Sequence, residues 1–92
     1  MEQHSYSEPV YIISVACDIL KIHPQTLRFY EREDLVMPRR TNAGQRLYSQ
    51  LDLDKIKEIR DLTRNRGVNL AGVKIILELR DKIRTLENGD GK

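Results

Sequence analysis

The stretch IHPQTLRFYE, residues 22–31, decides how the rest of the chain is interpreted. Pro24 suits the first turn of a helix, where its missing backbone N–H leaves no hydrogen bond unmade. Leu27 and Tyr30 then recur about one turn apart, and the helix is predicted to end near Arg32. The polar residues between them form the exposed face of a short amphipathic helix.

A shorter helix is predicted just before this one. Ser14 is a good N-cap, because its hydroxyl can accept a hydrogen bond from a backbone N–H of the first turn. The residues that follow it at helical spacing are Val15, Ala16, Ile19 and Leu20. The turn between the helices, residues 21–23, is so short that the helices must cross, as they do in a helix-turn-helix. Ile22 is expected to be the apolar plug of that turn.

A small β-hairpin is predicted after the second helix. Its strands are residues 39–41 and 45–48, and its turn is residues 42–44, Asn-Ala-Gly. Asparagine and glycine readily adopt the left-handed conformations that tight turns need. A hairpin this small and charged cannot bury a core of its own, so it is expected to lean on the helices as a wing.

Two more helices are predicted in the second half of the chain. Ser49 begins the first, Asp52 places negative charge in its first turn, and Gly67 ends it. Asn69 is the expected N-cap of the last helix. The apolar stripes of the two helices are Leu53, Ile56, Ile59 and Leu62, and then Leu70, Val73, Ile76 and Leu77. A short coiled-coil seam of Ile76, Leu79, Ile83 and Leu86 is the candidate dimerisation surface.

The predicted fold is mostly α: a winged helix-turn-helix with a small β-hairpin wing and a short C-terminal helix. A chain of 92 residues suits one small domain, and with no tryptophan and one phenylalanine its core must be aliphatic. The expected organisation is a flexible tail over residues 1–9, the winged helix-turn-helix domain over residues 10–80, and a short helix end with a frayed tail over residues 81–92.

Composition and motifs argue against several classes of protein. No apolar run approaches a membrane span, and the polar N-terminal residues show no signal-peptide pattern, which favours a soluble cytoplasmic protein. Cys17 is the single cysteine, so no internal disulfide forms, and it is expected in the core. His4 and His23 lack further ligands for a metal site. Without a phosphate-binding glycine loop or a nucleophile–base pair, neither a cofactor nor an enzymatic activity is expected.

Basic residues cluster in the middle of the chain. The net charge is only +2, but residues 21–50 carry six basic residues against three acidic ones. The six are Lys21, Arg28, Arg32, Arg39, Arg40 and Arg46. Clustered arginine in a small domain is typical of a nucleic-acid-binding face, and a solvated surface with scattered ion pairs is the alternative interpretation.

Four segments in fixed order resemble the MerR family of bacterial transcription regulators. They are residues 22–31 with the LR-Y-E pattern, residues 35–41, residues 44–52 and residues 67–77. Residues 23–28 and 68–72 are most similar to the heat-shock-repressor (HspR) branch, and the glutamine-responsive repressors resemble the last segment. Lys21 and Asp34 stand where the family often has glycine, and Lys21 is expected to reshape its turn.

The resemblance implies sequence-specific binding to double-stranded DNA. The second helix would be the recognition helix in the major groove, while the hairpin and the loop at Gly67 bring arginines to phosphates. The candidate DNA-binding residues are His23, Gln25, Thr26, Arg28, Phe29, Tyr30, Arg39, Arg40, Arg46, Arg64 and Arg66. Arginine can pair with guanine and glutamine with adenine, and Tyr30 is expected to pack its ring while its hydroxyl faces a phosphate.

The resemblance also implies a homodimer that binds a pseudo-palindromic operator and represses transcription. Because the seam is short, this dimer is expected to form mainly on DNA. Two alternatives stay open. One is a small helical adaptor that binds a protein partner through the seam from Ile76 to Leu86, and the other is a monomeric, cooperative DNA binder like the excisionase-type relatives of the fold. Arg64 and Arg66 also have a purely structural explanation, because cations stabilise the C-terminal end of a helix.

Overall fold

The structure, a computed structural model, describes residues 6–89. Its elements are β1 (Tyr11–Ile12), α1 (Ile13–Leu20), α2 (Pro24–Arg32), β2 (Arg39–Arg40), β3 (Arg46–Tyr48), α3 (Gln50–Arg60), a π-helical turn (Asp61–Asn65) and α4 (Leu70–Gly89). They form two compact units that divide after Glu58. This order of helix pair, hairpin and second helix pair confirms the predicted mostly α, winged helix-turn-helix fold.

A three-stranded antiparallel sheet supports the first unit. The strand order is β1-β3-β2, in which Tyr11 pairs with Tyr48 and Arg40 with Arg46. The hairpin lies where the sequence predicts it, and Gly44 takes the expected positive φ of 86° in its turn. Strand β1 was not predicted. It forms because Val10 and its neighbours pair with a strand far away in the sequence, and Val10 N donates to the carbonyl oxygen of Tyr48 at 3.0 Å.

Helix α1 starts earlier than predicted and buries a different face. It begins at Ile13, directly after β1, and its N-cap residue Ile12 makes no side-chain capping hydrogen bond, so the prediction of Ser14 as N-cap is wrong. The buried residues are Ala16, Cys17 and Leu20, which confirms Cys17 as a core residue. Val15 and Ile19 are exposed, because they lie on the other side of the helix from the buried Ala16, Cys17 and Leu20.

The turn between α1 and α2 retains its left-handed geometry without glycine. Lys21 has φ 56° and ψ 49°, and its N–H and that of Ile22 both donate to the carbonyl oxygen of Cys17. The expectation of a reshaped turn is therefore wrong. Lys21 accepts a conformation that is unfavourable for a side chain with a Cβ because the turn is held by these bonds and by the buried Ile22.

Helix α2 also ends with a non-glycine residue in the left-handed conformation. Asp34 has φ 62°, and the N–H of Leu35 donates to the carbonyl oxygen of Tyr30 at 3.0 Å. Leu35 and Val36 then enter the core. A left-handed residue here closes the helix and sends the chain towards the wing, which is the role of glycine in many helix C-termini.

Helix α3 starts with a reciprocal capping box. Asp52 N–H donates to Ser49 Oγ at 3.0 Å, and Ser49 N–H donates to Asp52 Oδ2 at 2.9 Å. Ser49 begins the helix and Asp52 lies in its first turn, as the sequence predicts. Tyr6 is tied to the same helix, because its carbonyl oxygen accepts from Leu51 N–H and its hydroxyl donates to Asp54. The chain from Tyr6 onwards is thus bonded to α3, although residues 1–9 were expected to be flexible; residues 1–5 lie outside the described part of the chain.

The second unit is built on the end of α3 and on α4. Its buried residues are Ile59, Leu62, Val73 and Leu77, all of them predicted core positions. The helix widens into a π-helical turn at residues 61–65, where Thr63 Oγ1 donates to the carbonyl oxygen of Ile59 at 2.9 Å. Gly67 then takes φ 67°, and Asn69 caps α4 by accepting from Gly72 N–H at 2.9 Å.

Helix α4 is longer than predicted. It continues through Asn88 to Gly89, both of which were assigned to a frayed end; residues 90–92 lie outside the described residues. Each of its residues from 78 to 88 is exposed. Among residues 6–89, no helix combines the length and the apolar character needed to cross a membrane.

Candidate nucleic-acid interface

The exposed face of α2 carries most of the predicted base-reading residues. Gln25, Arg28 and Phe29 are exposed and Thr26 is half-buried, whereas Leu27 is fully buried on the opposite side. These positions follow from the helical repeat, which returns to the same face after three or four residues. The Arg32 guanidinium lies 5.8 Å above the ring of Phe29 and adds a cation at the end of this face.

His23 is the N-cap residue of α2. Its Nδ1 accepts a hydrogen bond from Gln25 N–H at 3.0 Å, so the imidazole serves as the N-cap side chain. An accepting Nδ1 requires the neutral ring with its proton on Nε2, which leaves Nε2 as the ring's donor. His23 therefore orders the first turn of α2 and also presents a donor next to Gln25.

Tyr30 lies in the core rather than on the exposed face. It is 6% exposed, and its ring stands 6.2 Å from that of Phe29 at 50°. The prediction that its ring packs is confirmed. Because Tyr30 is buried, its side chain is the least accessible to phosphate among the candidate DNA-binding residues.

The wing is fastened to α2 by a residue that the sequence analysis missed. The carboxylate of Glu31 accepts from Arg46 Nε at 2.6 Å and from Arg40 Nη2 at 2.9 Å. Arg40 Nη1 also donates to the carbonyl oxygen of Gly44 in the hairpin turn at 3.2 Å. Arg39, the third predicted wing cation, is exposed.

A signal for Glu31 was present in the hairpin register. Arg40 and Arg46 are opposite one another on neighbouring strands, and like charges in that arrangement are destabilising. An acidic group within reach of both guanidinium groups relieves this repulsion, and Glu31 is such a group. In the sequence, Glu31 was noted as the last residue of the LR-Y-E pattern and as one of the acids beside the arginine cluster, but not as a partner of the wing.

The other two predicted phosphate contacts lie in the second unit. Arg64 belongs to the π-helical turn and Arg66 caps it, and both side chains are exposed. Arg66 Nη1 stands 4.0 Å from Asp61 Oδ2, the limit of an ion pair. Exposed pairs of this kind hold a side chain weakly, so Arg66 can move to another anion.

Tyr48, the last residue of β3, is a buried polar group close to the arginine–glutamate cluster. Its side chain is fully buried, and within the described part of the chain its hydroxyl has no hydrogen-bond partner. Burial, with a smaller contribution from the negative charge of Glu31, raises the pKa of Tyr48 to about 12. The positive charge of Arg46 acts in the opposite direction.

Replacing Tyr48 with phenylalanine is expected to stabilise the fold slightly and to flatten its response to alkaline pH. Removing a buried, unpaired hydroxyl should leave the free energy of unfolding unchanged or raise it by up to about 1 kcal/mol at neutral pH. The folded-state pKa of about 12 lies above the ordinary value of 10, so the unfolded chain loses this proton first. The wild type should therefore lose stability as pH rises from 10 towards 12, and the variant should lose less.

Urea unfolding of both proteins at neutral pH and in steps above pH 9 measures this difference. The two proteins differ only at residue 48, so the difference between the curves belongs to the Tyr48 hydroxyl. Equal alkaline losses in both proteins would show that the Tyr48 hydroxyl ionises as freely in the fold as in the unfolded chain.

A stripe of exposed apolar residues runs along α4. Leu79, Ile83 and Leu86 of the predicted seam are exposed, and Ile76 is half-buried. Ile75, which the sequence analysis did not include, is also exposed and lies one turn before Leu79. An apolar stripe of this length is typical of a surface that another chain covers.

Together these features define a class of protein. The exposed helix α2 follows a left-handed turn, an arginine-bearing hairpin is held to it by ion pairs, and a second helix pair follows in the chain. This is the winged helix-turn-helix arrangement of DNA-binding proteins. The sequence profile of the MerR HTH family of regulatory proteins matches residues 11–79. The chain belongs to this family, in agreement with the expectation of a non-enzymatic protein.

Individual relatives extend this result. The putative heat shock protein HspR of Streptomyces coelicolor is 44% identical over 79 residues, which are 86% of this chain and 52% of that protein. The HTH-type transcriptional regulator GlnR of Bacillus cereus is 36% identical over 81 residues, 88% of this chain and 62% of that protein. The chain thus spans between about half and three fifths of the length of these relatives.

A solved structure shows the same fold. The crystal structure of HiNmlR, a MerR family regulator lacking the sensor domain and bound to promoter DNA, superposes with a TM-score of 0.72 at 29% identity. The match covers 85% of this chain and 60% of that one. The likeness to HspR also agrees with the resemblance to the heat-shock branch that the sequence motifs indicate.

Proposed function

We propose that this protein is a sequence-specific DNA-binding regulator of transcription. The observation that carries the proposal is the exposed face of α2, which presents Gln25 and Arg28. Glu31, on the same helix, holds Arg40 and Arg46 of the wing beside this face. The relatives GlnR and HiNmlR support it, because the first is named a transcriptional regulator and the second is seen on promoter DNA.

In the proposed mechanism, α2 enters the major groove and the wing follows the backbone. Gln25 and Arg28 contact base edges, for which glutamine suits adenine and arginine suits guanine. Arg39 and the guanidinium donors of Arg40 and Arg46 that do not face Glu31 contact phosphates. Arg64 and Arg66 are proposed to provide further phosphate contacts from the second unit.

We also propose how the protein assembles on DNA and that it represses transcription. Two copies bind a pseudo-palindromic operator and pair through the α4 stripe, in which Leu79, Ile83 and Leu86 are exposed. Repression is assigned from the resemblance to the heat-shock branch. The exposed stripe is also the observation that favours the second candidate, a helical adaptor for a protein partner, and salt-sensitive binding to DNA separates the two.

Replacing Gln25 with alanine is expected to relax the choice of base. The loss on the best operator should be about 1–3 kcal/mol, and the preference should disappear at one position in each half-site. Selection from randomised duplexes identifies the operator of the wild type, and competition among its single-base variants then measures the preference. Gln50→Ala, a glutamine change on α3, is the control and should leave the base preference intact.

An equal loss on every duplex would reassign Gln25 to backbone positioning. If the wild type selects no sequence at all, and binds random duplexes without the steep decrease with salt that phosphate contacts produce, the DNA-binding proposal is wrong.

A further inference from the structure

Glu31 is placed where an acidic residue should impair a DNA-binding surface. It is the third residue after Arg28 on α2, and its side chain is 20% exposed. A carboxylate repels phosphate, so an acid beside the predicted phosphate-binding arginines lowers their attraction for DNA in general. Its presence between Arg40 and Arg46 therefore requires a compensating role.

Its contacts indicate that role. The two oxygens of one carboxylate hold two different arginines of the wing, at 2.6 Å to Arg46 Nε and 2.9 Å to Arg40 Nη2. The second arginine is also tied to the hairpin turn through Gly44. The recognition helix and both strands of the wing thus meet at this carboxylate, which we call the Glu31 clamp.

We propose that Glu31 is a positioning residue that determines DNA specificity by fixing the wing arginines relative to the base-reading face of α2. The proposal rests on the proposed function. With the clamp closed, Arg40 and Arg46 reach phosphates only when α2 is in the register that places Gln25 and Arg28 on bases. Without it, the same arginines reach phosphates from many orientations.

The energetics favour this role over a purely structural one. The Arg40 side chain is 48% exposed, so its pair with Glu31 is open to water and stabilises the fold little. The Arg46–Glu31 pair is partly buried, with side chains 27% and 20% exposed, and it holds the Arg46 guanidinium in one position. Two long side chains that are already ordered lose less freedom when they bind. The clamp therefore weakens the general attraction of the wing for DNA. In return, it makes the phosphate contacts of the wing preorganised and dependent on the orientation of α2.

The test compares Glu31→Gln with the matched control Glu33→Gln. Both remove one negative charge from the end of α2, but the control leaves the Glu31 carboxylate in place. For each protein the Kd is measured on the operator selected by the wild type and on a scrambled duplex, together with the thermal melting midpoint.

Glu31→Gln should weaken operator binding by about tenfold and leave binding to the scrambled duplex unchanged or tighter, so that the ratio of the two Kd values falls by at least about tenfold. Glu33→Gln should keep the wild-type ratio. Arg46→Lys is the second variant: it retains the positive charge but loses the Nε donor, and it should lower the ratio in the same way if Glu31→Gln does not fold.

An unchanged ratio in both Glu31→Gln and Arg46→Lys would overturn the inference. So would an equal weakening on both duplexes accompanied by a lower melting midpoint, which is the signature of a structural residue. If the wild type itself shows no preference for any duplex, the proposed function fails, and that result is distinguishable because it requires no variant.

Discussion

Replacing Ile83 with lysine is expected to abolish the two-subunit complex on the operator while single half-sites remain bound. Ile83 is 54% exposed in the middle of the α4 stripe, between Leu79 and Leu86. In a paired complex these side chains would lose their contact with water, and a lysine at the centre would bury a charge without a partner. The DNA-binding face of α2 carries none of these residues, so binding to one half-site should persist.

Sedimentation with and without operator DNA measures the change. The apolar area of three or four side chains is small, so we expect the wild type to be mostly monomeric at low micromolar concentration and to pair when two half-sites raise its effective concentration. Thr85→Lys is the control, because it adds the same charge about half a turn around the helix from Ile83. It should leave the paired complex intact.

The alternatives predict different results. A monomeric, cooperative binder assembles on tandem sites and gains nothing from paired half-sites. If the protein is an adaptor, neither the wild type nor Ile83→Lys shows salt-sensitive DNA binding. A free dimer that survives Ile83→Lys would show that subunits pair through another surface.

Replacing Leu27 with alanine is expected to lower the free energy of unfolding more than any other substitution proposed above. Leu27 is 0% exposed on the inner side of α2, and truncating a fully buried leucine typically costs about 2–5 kcal/mol, from lost apolar burial and from the cavity that remains. Because a domain of this size is stable by about 5–15 kcal/mol in total, the variant should melt at a much lower temperature.

Urea unfolding and DNA binding measured on the same samples separate stability from recognition. Gln25→Ala is the control on the same helix: it is exposed, so it should change base preference while the free energy of unfolding stays within about 0.5 kcal/mol of the wild type. Leu27→Ala should show the reverse pattern at low temperature, with normal preference in the folded fraction. A loss of stability below about 1 kcal/mol would mean that the core around α2 collapses to fill the space.

Local sequence determined those features whose bonds lie within a few residues of one another. The start of α3 at Ser49, the Asn69 cap of α4 and the turn at Gly44 are all formed by neighbours in the chain, and all occur where they were predicted. The amphipathic repeat of α2 likewise determined that Leu27 is buried and Gln25 exposed. Periodicity and side-chain capping chemistry are sufficient for these because they require no knowledge of the rest of the fold.

Tertiary structure alone decided the features that depend on partners distant in the sequence. Strand β1 forms because Tyr11 pairs with Tyr48 of β3, and α1 then begins directly after it at Ile13 rather than after Ser14. Lys21 holds a left-handed conformation despite its Cβ, because the next residue, Ile22, is buried in the core. The Glu31 clamp brings together α2 and both wing strands. Each is a compromise in which a non-local contact outweighs a local preference, and no local pattern records which contact will prevail.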